Sequence, residues 1–361
     1  MSIIFYLFIA FLSLSVLVFF HELGHYSAAK FFSVKVERFS IGFGKIMARK
    51  QWLDTEWVFS AIPLGGYVKM KGQDDADPTK KSYDGDSYNS KKPWQRIIIL
   101  LAGPIANLIL AFFVYLLIAL SGAPAVVATD YLPPVVSKVQ KDSPAQAAGI
   151  LSGDRIVKVN NTPVTYWYEV GKTIRDSTGN ITLTIERAGL IVNAVLNTKT
   201  IDSTNEFQED IKKKIIGIQI DVSRDNRIEF SPLESLFYAW NETKKSATLI
   251  ATGVKKMATG EIDSKHIGGA ITIFDVIMKF TERGIVYLLF IMALISVNLG
   301  ILNLLPIPAL DGGHIMFNIY EMITRREPSE TALYYLTVLG WAMLFGLMGL
   351  GLYNDVNRIW G

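Results

Sequence analysis

Residues 3–25 read IIFYLFIAFLSLSVLVFFHELGH, an uncharged apolar run from Ile3 to Phe20 that ends directly on His21-Glu22-Leu23-Gly24-His25. A helix needs about 20 apolar residues to cross a hydrocarbon layer of roughly 30 Å. The run reaches that length if the helix continues through its polar end towards Lys30. No Lys or Arg precedes it and no small-residue cleavage site follows, so it reads as a retained membrane helix rather than a secretory signal. On a helix, residues four apart share a face, so His21 and His25 can offer two imidazole nitrogens to one ion. Glu22 points elsewhere, yet stays near enough to act as a base. Two imidazoles and a carboxylate with an open fourth position form a hydrolytic zinc site. The pentad holds no third ligand. Ionisable groups at membrane depth cost roughly 2.5–3.5 kcal/mol per charge and are usually paired and functional. A shared divalent ion would offset that cost.

Three further uncharged runs extend the reading: Ile97 to Ser121, Ile285 to Leu305 and Ala332 to Tyr353. Together they predict an α-helical integral membrane protein with four transmembrane helices. Bulk composition agrees: 50% of the 361 residues are hydrophobic and only 19% charged, against about 25% charged in an average globular chain. Mean hydropathy is +0.29. This excludes a disordered chain. A net charge of +3 argues against a nucleic-acid partner. With no cysteine, disulfide scaffolds, thiolate zinc sites and cysteine nucleophiles are excluded.

The basic residues predict orientation. Residues 33–95 carry eleven Lys/Arg against eight acidic residues, and the loop before the fourth run carries Arg325 and Arg326. Both loops are expected on the cytoplasmic side, with the segment from about 122 to 283 opposite. Within the first loop, residues 34–70 alternate in strand fashion with glycine punctuation, which predicts one or two hairpins associated with the membrane. The polar stretch 72–93 reads as a linker. Residues 130–200 show strand, helix, turn and strand signals in the order of an inserted α/β PDZ-like domain, with Tyr131-Leu132-Pro133-Pro134 where a carboxylate-binding loop would fall. A further strand is expected at Ile215–Val222, and an amphipathic helix from Pro232 to Met257, set on the membrane face or against the PDZ-like domain.

The missing ligand is sought at the edge of the third run, which closes on Asn303-Leu304-Leu305-Pro306-Ile307-Pro308-Ala309-Leu310-Asp311-Gly312-Gly313-His314. Asp311 is the one carboxylate between Glu282 and Glu321. Pro306 and Pro308 must interrupt or end a helix, and the freed backbone groups are tolerable only inside protein or a wet cavity. Gly312 and Gly313 permit a tight turn. Asp311 is therefore the candidate third ligand; its simpler role is to cap the next helix. His314 reads as a supporting group, a spare ligand or an ordinary helix residue.

The pentad in the first span, the N-x-x-P-x-P-x-L-D-G run in the third and the insert between spans two and three resemble the site-2 protease family of intramembrane zinc metalloproteases. The likeness extends to Arg38-Phe39-Ser40-Ile41-Gly42-Phe43-Gly44, to Pro63-Leu64-Gly65-Gly66-Tyr67 and to Ala102-Gly103-Pro104-Ile105-Ala106-Asn107. It implies Zn2+ as cofactor, His21, His25 and Asp311 as its ligands, Glu22 as general base and Asn303 near the substrate or the oxyanion. It further implies that the segment bearing Ile41, Gly42, Phe43 and Gly44 holds substrate in extended form. The implied substrates are transmembrane segments of single-span proteins, such as anti-sigma factors or remnant signal peptides, cut by regulated intramembrane proteolysis. The expected setting is the bacterial inner membrane, in contact with lipid, with the catalytic end near the cytoplasm and the PDZ-like domain outside it. One departure is plain: some members carry two PDZ domains in tandem, whereas one is legible here. Two other classes compete. A membrane metal transporter would distribute ionisable groups along a path, and spans two and four hold none. A catalytically inactive PDZ scaffold would have no reason to keep Glu22 between two histidines.

Overall fold

A computed structural model describes residues 3–73, 82–223 and 226–360; of the expected linker, residues 74–81 lie outside the described residues. In chain order, α1 (Ile3–Phe31) is followed by β1 (Val36–Trp52), β2 (Thr55–Met70) and α2 (Pro93–Leu120). Next come β3 (Ala123–Pro124), β4 (Lys138–Val139), α3 (Pro144–Ala147), β5 (Arg155–Val159), β6 (Thr162–Pro163), α4 (Trp167–Asp176), β7 (Ile181–Arg187) and β8 (Leu190–Leu196). The strands β9 (Lys199–Thr204), β10 (Asp210–Ile215), β11 (Ile218–Gln219) and β12 (Arg227–Ile228) lead to α5 (Pro232–Ala258), α6 (Ala270–Arg283), α7 (Ile285–Asn303), α8 (Asp311–Thr324) and α9 (Glu330–Trp360). Among the described residues four helices, α1, α2, α7 and α9, are long and apolar enough to cross a membrane. They coincide with the four runs. The chain divides into two compact units, one of residues 1–116 with 236–361, the other of residues 117–235.

In the first unit α1 passes through the pentad without a break and runs on past Lys30 to Phe31, the continuation that its length as a span needs. The hairpin docks on it. Phe39, fully buried, stacks on Trp57 at 4.3 Å and meets Phe19 and Tyr26 of α1 edge-on. Strands β1 and β2 form one long hairpin that doubles back on itself. Ile41 lies opposite both Phe59 and Gly66, and Arg38 opposite both Glu56 and Lys69. The 38–41 stretch is thus paired on both flanks, and the 66–69 stretch forms an outer strand. Gly42 (φ 89°) and Gly65 (φ 112°) make the folding back possible, in backbone regions that side chains with a Cβ avoid.

Arg96 at the start of α2 and Glu321 near the end of α8 pair at 2.5 Å, both largely enclosed. This joins the edges of the two basic loops at one end of the bundle. At the other end Asp355 of α9, 1% exposed, accepts hydrogen bonds from the N–H groups of Gly269 and Thr272. A carboxylate there satisfies the open donors of the first turn of α6. The third span ends earlier than its sequence predicts. Helix α7 stops at Asn303, the two prolines occupy a turn-bearing connection, and Asp311 opens the separate helix α8.

The second unit is built on the antiparallel sheet β6-β5-β7-β8. Ile181, Leu183 and Ile185 alternate inward along β7 and pack with Ile156, Val159, Val170 and Ile174 in one core. Asp154, 1% exposed, receives two hydrogen bonds from Arg187 at 2.7 Å and one from the Leu151 N–H at 2.8 Å. The β9–β10 hairpin was not legible in the sequence. The strand expected at Ile215–Val222 is split by Gly217 (φ 85°) into the end of β10 and the short β11.

Candidate metal centre

The site forms where α1, α2, α7 and α8 converge. His21 and His25, one turn apart on α1, are 7% and 6% exposed. Their Nε2 atoms stand 3.2 Å from each other and 3.3 Å and 3.4 Å from Oδ2 of Asp311. A tetrahedral zinc with bonds of roughly 2.0–2.1 Å sets its ligand atoms about 3.3–3.4 Å apart. The three donors already hold that triangle. Oδ2 of Asp311 is buried and has no hydrogen-bond partner among the described residues, which fits an oxygen aimed at a cation. The donor chemistry, two nitrogens and one oxygen, also suits zinc.

Each element has a local reason to present its group. The Ile99 carbonyl of α2 lies 2.8 Å from Nδ1 of His25. A carbonyl can only accept, so Nδ1 carries the hydrogen and Nε2 keeps its lone pair towards the triangle. Asp311 sits in the first turn of α8, where the helix dipole favours a carboxylate. The following glycines let that turn tuck under the proline connection. A Cβ on Gly312 would stand 2.3 Å from the Leu305 oxygen, and one on Gly313 2.3 Å from the Ile307 oxygen. Helices α1 and α2 approach as closely: a Cβ on Gly24 would lie 2.2 Å from the Ala102 oxygen.

These groups open on a cavity of about 610 Å³. Glu22 lines it beside the histidines, as does the outer strand from Gly65 to Met70. Of the four residues assigned to substrate on β1, Phe43 lines the cavity, whereas Ile41 lies between its two strand partners. Asn303, the last residue of α7, points its Nδ2 to within 3.3 Å of Nε2 of His21. His314 also faces the cavity, with its ring edge-on to Phe317. Within the other unit, the N–H groups of Tyr131 and Leu132 are already bonded to Ala128 and Thr129, and Pro133 and Pro134 have none. That stretch offers no spare backbone donor to a peptide carboxylate.

Sequence reasoning missed the contribution of α2. The Ile99 carbonyl leaves no trace in residue type. Asn107 does: it is an amide in the middle of an apolar span, fully buried, with Nδ2 3.1 Å from Nδ1 of His21. Gly103 is a second sign, since a Cβ there would stand 2.3 Å from Nε2 of His25.

A set of zinc-type donors where α8 meets three helices long and apolar enough to cross a membrane is the arrangement expected of a membrane metallohydrolase. Peptidase family M50 matches residues 9–347. The chain belongs to that family, the site-2 proteases, and is a zinc metalloprotease. A Campylobacter jejuni protein named as a zinc metalloprotease is 41% identical over 350 residues, covering 97% of this chain and 93% of the relative. A Helicobacter pylori protein of like name is 37% identical over 360 residues, covering 97% and 99%. The regulator of sigma-E protease RseP of Salmonella typhimurium is 30% identical over 441 aligned positions, covering 96% and 97%.

Proposed function

We propose that this chain is an intramembrane endopeptidase that cuts transmembrane segments of single-span proteins, in the manner of regulated intramembrane proteolysis. His21, His25 and Asp311 hold the zinc in this reading. The observation that carries it is the triangle of three donor atoms, 3.2–3.4 Å on each side, enclosed where the short helix α8 meets helices of membrane length. When bound, the ion supplies Lewis acidity that activates water and polarises a peptide carbonyl. Glu22 takes the proton of the attacking water and passes it to the departing amine. The Asn303 amide, an N–H donor beside His21, steadies the oxygen of the scissile carbonyl.

A helical substrate hides its carbonyls in internal hydrogen bonds and must be drawn out before attack. The outer strand Gly65–Met70 lines the same cavity as Glu22, so pairing of an extended segment along it would hold the peptide open. Anti-sigma factors and remnant signal peptides fit this requirement. The two basic loops face the cytoplasm of a bacterial inner-membrane protein, and residues 130–200, read as one PDZ-like domain, act outside it as a size filter. The RseP alignment runs to 441 positions against 361 residues here. The test is Glu22→Gln, followed by cleavage of a single-span reporter in cells and zinc analysis of the purified protein. Turnover should fall by about 10²–10⁴-fold with zinc retained; undiminished cleavage contradicts the reading.

A further inference from the structure

We propose that Asn107 is a positioning residue for His21, its amide oxygen accepting the Nδ1 proton so that Nε2 is left as a lone-pair donor to the metal. The inference rests on the zinc site proposed above. Both side chains are enclosed, Asn107 fully, and the amide lies 3.1 Å from Nδ1. The amide has two orientations of nearly the same shape. With nitrogen towards the ring, Nδ1 must accept, and the single hydrogen of a neutral imidazole is forced onto Nε2, where it blocks a metal bond. Oδ1 of Asn107 then has no partner, as found here. A half-turn of the amide brings the oxygen to Nδ1 and moves the hydrogen there. It exchanges one unpartnered atom for another, so it costs little, but it frees Nε2. Metal-binding histidines generally need such an acceptor on their other nitrogen.

The frame around Asn107 is rigid. Its main-chain oxygen accepts a hydrogen bond from Ser296 Oγ of α7 at 2.8 Å. A Cβ on Gly300 would stand 2.9 Å from the Pro104 oxygen, so α2 and α7 are locked together beside it. The Ile99 carbonyl serves His25 from the same helix, two turns earlier. Helix α2 thus orients both rings while contributing no ligand.

The test is zinc affinity of the purified full-length protein in detergent, measured by chelator competition. Asn107→Leu keeps the shape and removes the acceptor; affinity should fall about 10–100-fold. Asn107→Asp keeps an acceptor in either orientation and should stay within a few-fold of the parent. Ser296→Ala removes the helix–helix bond alone and should leave affinity unchanged. Leucine and parent binding equally, aspartate binding as weakly as leucine, or Ser296→Ala matching the leucine loss would each overturn the proposal. If Asn107→Leu does not fold, ¹⁵N spectra of the four histidines in the zinc-loaded parent decide. Two zinc-bound rings carrying Nδ1–H are expected; a single such ring overturns it. A parent that binds no zinc overturns both this proposal and the site. A parent whose zinc is lost in Asp311→Ala but kept in Asn107→Leu sinks the role of Asn107 alone.

Discussion

Replacing Gly103 with alanine tests the site through one added methyl group. The new Cβ would lie 2.3 Å from Nε2 of His25, 2.6 Å from Cε1 and 2.8 Å from Cδ2. Non-bonded heavy atoms settle at about 3.5–4.0 Å, so the ring must retreat by about 1 Å. It has little freedom to do so, because its Nδ1–H is bonded to the Ile99 carbonyl at 2.8 Å. Metal bonds tolerate about 0.2 Å. A displacement several times larger removes Nε2 from the triangle. Zinc affinity should fall by about 100-fold, at or beyond the upper end of the loss seen when a ligand's support is removed. Cleavage should fall by at least a similar factor. Chelator competition on the purified protein reads the first, and a single-span reporter the second. Gly349→Ala is the control, since nothing lies within 4 Å of a Cβ there. Native zinc affinity in Gly103→Ala would refute the placement of His25.

Three other outcomes are expected. In Gly66→Ala the Cβ would meet the Ser40 oxygen at 2.6 Å and Glu22 Cγ at 3.4 Å; the outer strand must shift, lowering cleavage about 10-fold or more while zinc affinity holds. Gly313→Ala, crowding the Ile307 oxygen, should displace Asp311, weaken zinc binding and destabilise the fold by about 1–3 kcal/mol, read by thermal unfolding with and without zinc. Asp154→Ala leaves Arg187 and the Leu151 N–H without their acceptor and should cost about 1–3 kcal/mol, read by hydrogen exchange along β5 and β7. The Arg187 guanidinium holds the Asp154 carboxyl below its usual range. That stabilisation is therefore fully present above about pH 4 and is lost as pH falls through the lowered value. Acid sensitivity of β5 and β7 should begin below that point in the parent and be blunted in Asp154→Asn.

Much of this was legible because the bilayer constrains sequence strongly. Four uncharged runs marked four helices, and the histidine spacing placed two nitrogens on one face. Asp311 stood out as the lone carboxylate in a long apolar stretch, and the structure brings it to the histidines from 286 residues further along the chain. The doubled-back register of β1 and β2 was not legible, because alternation reports which face a residue takes and not which partner it has. Ile41 therefore carried no sign that it would be paired on both flanks. Helix α6 was missed because its 14 residues are shorter than a span and its start is capped from Asp355, far along the chain. Asn107 carried a signal, since a buried amide within a span demands a partner. Naming that partner required the crossing of α1 and α2.

X-ray absorption at the zinc K-edge of the purified full-length protein tests the central claim most directly. One zinc per chain is expected, with two imidazole nitrogens and carboxylate or water oxygen at about 2.0–2.1 Å, and with the signal lost in Asp311→Ala. A zinc shell lacking imidazole scattering, or one unchanged by Asp311→Ala, would contradict it.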